Sequence, residues 1–173
     1  VETIDVNLFR AARTGLRTGP APPGRGVNKR VYGGQLIGQA VWAAQRTVSP
    51  HKAMHSLHAY FLAAGSTEHD VVYTVLPVNE TRAFASRWVL AQQKGKPIFS
   101  MQTSFMAPEA SSLNHEAVMP KVPPPEDLPT EPERYKAIHD DPRAPPALKA
   151  ALIKRMQHPN PIDMRYVETF SYF

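Results

Sequence analysis

Val31-Tyr-Gly-Gly-Gln-Leu-Ile-Gly-Gln-Ala-Val-Trp-Ala-Ala-Gln-Arg-Thr-Val48 is the stretch whose reading decides the fold. Gly33 and Gly34 mark a loop. Behind them Leu36, Ile37, Ala40, Val41, Ala44 and Val48 recur at three- and four-residue steps, the period of a helix packed on one face. No β-branched run competes with that reading, and Ser49-Pro50 stops the helix. Nearly every other apolar segment reads as strand. The expectation is therefore an α+β domain, one long central helix wrapped by a curved antiparallel sheet.

Working outward, Val6–Arg10 reads as a short strand, and Thr14 to Arg30 has the glycine and proline content of a loop. The start of a helix exposes unpaired N–H groups and a partial positive charge, which suit a phosphate or an oxyanion. Tight packing explains a Gly-Gly pair equally well. After the helix, Met54–Leu62 reads as a strand from its aromatic content. Side chains of a regular strand alternate faces, so His55 points with Leu57, Ala59 and Phe61, and His58 with Ser56, Tyr60 and Leu62. Without a bulge the two cannot share a pocket, and no third ligand is at hand, so no metal site is expected. Either imidazole is a candidate base, since histidine suits proton transfer near neutral pH, or a hydrogen-bonded structural histidine.

Val71–Leu76, Phe84–Ala91 and Ile98–Phe105 read as three strands of a meander, with a turn at Pro77–Arg82 and a hairpin loop at Gln93–Pro97. Phe99, Met101, Thr103 and Phe105 share one face of the last strand. Arg82 and Arg87 either reach a phosphate or are ordinary exposed strand charges. Most of the 18 prolines follow Ala107, which bars that region from a sheet interior. It holds one expected helix, Ala147–Met156, and Ile162–Phe170 alternates like a new strand beginning. The expected organisation is a domain at 1–107, a Pro-rich linker with a short helix at 108–161, and the start of a second, missing domain at 162–173.

Composition narrows the function classes. A chain of 173 residues with 42% hydrophobic residues can build a core. Its net charge of +5 is scattered, without the basic runs that bind nucleic acid, though it suits a small phosphorylated ligand. With no cysteine there is neither a disulfide scaffold nor a Cys-based zinc site. No apolar run is long enough for a membrane span, and the first residues resemble no signal peptide. P-loop, GxGxxG, GxSxG and HExxH patterns are absent, and no cofactor is expected.

Several motifs in order carry a resemblance. Tyr32-Gly-Gly-Gln-Leu-Ile-Gly-Gln-Ala40 resembles the central helix of the type II, TesB-like acyl-CoA thioesterases, and His55-Ser-Leu-His-Ala-Tyr-Phe-Leu62 resembles that family's His-Ser-x-His-x-Tyr-Phe strand. Lys94-Gly-Lys-Pro-Ile-Phe99 and Ser104-Phe105 are similar to its last strands, and Met119 with Val122–Leu128 to its linker. The chain departs from the pattern at Ala63-Ala64, where Arg-Pro is usual, at Thr81 in place of a turn glycine, and at Met106 in place of a glutamine.

The resemblance implies a hotdog fold, and hydrolysis of fatty acyl-CoA to free fatty acid and CoA by a chain of two such domains. The family's Asp, Thr or Ser, and Gln lie in the second domain, beyond the residues matched here. In keeping with that, no Asp or Glu lies between Gly33 and Ser49. This half offers oxyanion or substrate-binding donors at Gly33, Gly34 and Gln35, and apolar walls. His55 matches a family histidine given a functional role, and Arg82 and Arg87 are candidate CoA contacts. The implied partners are acyl-CoA and a second hotdog domain or a second copy. The implied location is intracellular, in peroxisome or cytoplasm. Two other classes fit the same residues: a single-hotdog acyl-thioester-binding or dehydratase-like domain, and a structural dimerisation domain.

Overall fold

The computed structural model describes residues 1–19, 28–111, 113–157 and 162–167, in two compact units, Val1–Ser112 and Leu113–Phe173. The first unit is a six-stranded antiparallel sheet on one helix. Its elements are β1 (Glu2–Asp5), β2 (Leu8–Ala11), α1 (Gly33–Gln45), β3 (Ala53–Phe61), β4 (Val71–Glu80), β5 (Phe84–Gln93) and β6 (Lys96–Met106). The strand order is β1-β2-β4-β5-β6-β3.

α1 supplies the anticipated apolar stripe. Leu36, Ala40, Ala43 and Ala44 are buried against Phe9, Tyr73, Val75, Val89, Phe99, Met101 and Phe105 of the sheet. Three alanines on the buried side let the helix lie close to the strands. Tyr73 has no exposed surface, and its hydroxyl donates to Gln39 Oε1 at 2.7 Å, pinning the helix in rotation. Burial raises the Tyr73 pKa well above that of an ordinary phenol, so the donor stays protonated.

Four differences from the sequence reading stand out. The expected strand at Val6–Arg10 is a hairpin of two strands, because Asn7 takes a left-handed φ of 58° and turns the chain there. α1 ends at Gln45 rather than near Ser49. There the Thr47 hydroxyl donates back to the Ala44 carbonyl, and Arg87 takes the Thr47 carbonyl at 2.8 Å. β4 runs through Pro77 to Glu80, past the last residue that β2 pairs, so the missing proline N–H costs no ladder bond. The expected meander of β4, β5 and β6 is present, and β3, for which no partner was expected, pairs with β6 and becomes the far edge. In β3 a bulge falls between Met54 and Ser56. The Gln93–Pro97 hairpin is as anticipated, with Lys94 (φ 49°) and Gly95 (φ 72°) forming the tight turn.

In the second unit, Pro146–Met156 (α3) is the expected helix and Glu131–Asp140 (α2) is an additional one. α2 opens with a capping box in which the Thr130 side chain accepts from Glu133 N–H while Glu133 reaches back to Thr130 N–H. Buried Glu131 accepts from the Tyr135 hydroxyl at 2.5 Å, and Arg155 of α3 lies 3.8 Å from the same carboxylate. Residues 162–167 form no strand, and the rest of the anticipated strand lies outside the described residues.

Candidate functional site

The sequence-derived candidates fall into three places on the first unit. At the start of α1, Tyr32 lends no side chain to cap the helix. The first amides with partners are those of Gln35 and Leu36, both bonded to the Tyr32 carbonyl, while the N–H groups of Gly33 and Gly34 make no protein hydrogen bond among the described residues. Both glycines sit under aromatic rings. A Cβ on Gly33 would lie 3.0 Å from the Phe61 ring, and one on Gly34 would lie 2.7 Å from the Tyr32 ring. The pair thus lets both rings approach the backbone closely and also leaves two donors open. Gln35 is different, since its amide accepts from Arg17 N–H and donates to the Gly15 carbonyl, both at 2.8 Å. Its side chain holds the loop before the helix.

Beside this helix start lies the inner face of β3. Residues inward on β6 (Phe99, Met101, Thr103, Phe105) pair with Phe61, Ala59, Leu57 and Met54 of β3, so these four share the face that α1 covers. α1 does not reach across all of it. Phe61 is 57% exposed, and Leu57 and Met54 are each 38% exposed, although Phe61 stacks edge-on against buried Phe99 at 5.3 Å. β3 also has no strand on its other edge among the described residues.

His55 is elsewhere. The bulge turns it off the Phe61 face expected of a regular strand, and its Nε2 meets Ser104 Oγ at 3.0 Å on the opposite side of the sheet. His58 pairs with Gln102 on that same outer side, so the bulge does bring both histidines to one face. No group of three metal-ligating residues forms among the described residues. Phe61 lies six positions along β3 from His55, about 20 Å of strand. His55 and the Gly33–Gly34 donors therefore lie at opposite ends and on opposite faces of this unit.

The two arginines also part company. Arg82 is exposed in the β4–β5 turn. Arg87, expected at the surface, is 3% exposed on the inner side of β5, and all five of its N–H groups are committed. They go to the Thr47 hydroxyl and carbonyl, the Asn79 and Ser86 carbonyls, and Glu80. It has no donor left for a CoA phosphate. Lys52, also 3% exposed, bonds Glu80 Oε1 and the Thr81 carbonyl at 2.6 Å. Glu80 thus sits between two buried cations, whose hydrogen bonds, from Lys52 first and then Arg87, hold its carboxyl below the usual glutamate range. No sequence pattern marks this cluster, because its members come from the connection between α1 and β3, from β4 and the turn after it, and from β5.

The comparisons with known proteins agree with this architecture. Residues 21–106 match the family described as acyl-CoA thioesterase N-terminal domain. Over 128 residues the chain is 41% identical to acyl-coenzyme A thioesterase 8 of Homo sapiens, covering 74% of this chain and 37% of that protein. It is similar to the solved acyl-CoA thioesterase II TesB2 from Mycobacterium marinum, with 35% identity and a TM-score of 0.58, over 74% of this chain and 44% of that one. In fold alone it is like a protein of unknown function with a hot dog fold from Alicyclobacillus acidocaldarius, at 24% identity and a TM-score of 0.54, over 75% of this chain and 46% of that one. The chain spans less than half the length of each. Among the described residues the first unit is one sheet on one central helix, with its β3 edge unpaired, and together with these relatives that hotdog unit shows the family: the chain belongs to the one described as acyl-CoA thioesterase N-terminal domain.

Proposed function

We propose that this chain is the N-terminal half of an enzyme that hydrolyses fatty acyl-CoA to free fatty acid and CoA, and that it is poorly active alone. One observation carries the reading: the open apolar face of β3 adjoins the two uncommitted N–H groups at the start of α1, through the contact of Phe61 with Gly33. An acyl chain on Leu57 and Phe61 would bring its thioester carbonyl toward Gly33 and Gly34. Those N–H groups and the positive end of the helix then favour the oxyanion formed as water attacks. The attacking water also needs a base. No carboxylate lies on α1, and His55 faces the other side of the sheet. The base therefore comes from a second domain, which the bare β3 edge would pair with as an added strand. In this reading residues 1–107 are the first hotdog, 108–161 the linker and 162–173 the approach to the second.

Among the candidates, Gly33 and Gly34 keep the donor role and Arg82 remains an exposed cation for a CoA phosphate. Gln35, Arg87 and His55 serve the fold. The substrate places the enzyme inside the cell, in peroxisome or cytoplasm. Titrating the chain with decanoyl-CoA while following backbone amide resonances tests the reading. Shifts should concentrate at Gly33, Gly34, Leu57 and Phe61. Shifts confined to His55 and Ser104, or none at millimolar ligand, would refute it.

A further inference from the structure

The tyrosine that precedes the two glycines of α1 carries a hydroxyl that the fold does not use. Backbone hydrogen bonds fix Tyr32 in place: its N–H donates to the Arg17 carbonyl at 2.8 Å, and its own carbonyl accepts from Gln35 and Leu36. The ring lies across Gly34, where a Cβ would meet Cε1 at 2.7 Å and the hydroxyl oxygen at 3.2 Å. On its other edge, Cδ2 would lie 3.5 Å from a Cβ on Gly19. Two residues without side chains thus make the berth for one phenol.

A tyrosine hydroxyl drawn in from the surface normally finds a partner. Among the described residues, the other two tyrosines that are not exposed obey this, Tyr73 donating to Gln39 and Tyr135 to Glu131. Tyr32 is half-buried as well, yet its hydroxyl makes no hydrogen bond among the described residues. No buried side-chain oxygen there lacks a partner, so this one opens to solvent beside the start of the helix. The geometry suits a single acceptor. A Cβ lies about 2.5 Å from the N of its own residue, which puts the Tyr32 oxygen within about 6 Å of Gly34 N. Two hydrogen bonds of about 2.9 Å, converging on one oxygen, close that gap.

We propose that Tyr32 is a third donor at this site, its O–H joining the Gly33 and Gly34 N–H groups on the carbonyl oxygen of the acyl thioester. The assignment rests on the proposed reading of the helix start and adds a side chain to it. When water adds to the carbonyl carbon, the π pair of C=O moves to oxygen, and the three donors meet the new charge. The proton of that water goes to the base of the second domain, and Tyr32 keeps its own. As the intermediate collapses, the pair returns to C=O and the C–S bond breaks, releasing CoA as the thiolate.

The probe is the analogue of decanoyl-CoA in which a methylene replaces the thioester sulfur, isotope-labelled at the carbonyl carbon, so that the carbonyl survives whatever the activity. Its infrared carbonyl band is recorded bound to the whole chain and to Tyr32→Phe. On binding to the wild type the band should move to lower frequency, and by about a third less in Tyr32→Phe, one donor of three being gone. Affinity should stay within about twofold, since such donors act chiefly in the transition state. The urea midpoint should not move, because the hydroxyl has no partner among the described residues. Equal band shifts in the two proteins would overturn the Tyr32 assignment and leave Gly33 and Gly34 as the donors. A bound analogue whose band stays put in the wild type, or no binding at all, would sink the proposed reading and Tyr32 with it. A destabilised or unfolded Tyr32→Phe chain would put the hydroxyl to work in the fold, and that too overturns the assignment.

Discussion

Glu80 is a single carboxylate answering two buried cations, and its side chain is itself 46% exposed. Its folded pKa lies below that of a free glutamate. The stability it confers is therefore present above the unfolded value and lost as pH falls through the lower folded one. Chemical denaturation of the wild type should show that acid loss, and Glu80→Gln should remove this part of it. At neutral pH the same substitution leaves Lys52 and Arg87 uncompensated. Because water reaches the carboxylate, a cost of about 2 kcal/mol is expected, below the full range for a broken buried pair. Tyr73→Phe strips Gln39 of its buried donor and should cost about 1 kcal/mol by the same measurement. None of these partners was legible in the sequence. Arg87 reads as a strand charge until β4 and the end of α1 are folded around it.

At the scale of elements, the helix was the most legible part, because a 3.6-residue stripe survives any surroundings. Its limits were less so, since Thr47 and Arg87 settle the C-terminal end through tertiary bonds. Strand existence was readable from β-branched and aromatic residues. The bulge in β3 was not, and one inserted residue moved His55 to the other face, which changed its candidate role. α2 escaped notice because its helical face is thinly apolar, although Thr130 and Glu133 stood at capping-box spacing. Two predictions belong here. Ala40→Leu, at a fully buried helix–sheet contact, should destabilise by about 1–3 kcal/mol through overpacking, read from the shift in urea midpoint. β3 amides that face the open edge should exchange with deuterium faster than those of β5, which is bonded on both sides.

For the molecule as a whole, one property organises the rest: a complete core beside an incomplete surface. The helix and the inner strands β4, β5 and β6 are closed and satisfied, while among the described residues β3 presents an unpaired edge and a partly bare apolar face. In the proposed reading this unit supplies two backbone donors and a wall for an acyl chain, and the group that takes the proton comes from a second domain. Thiol release from decanoyl-CoA, compared between this chain and a longer polypeptide that joins it to a second hotdog domain, tests the division most directly. The account predicts no turnover above the uncatalysed rate from this chain and clear turnover from the longer one. Equal rates from the two would contradict it, because the base would then lie within these 173 residues.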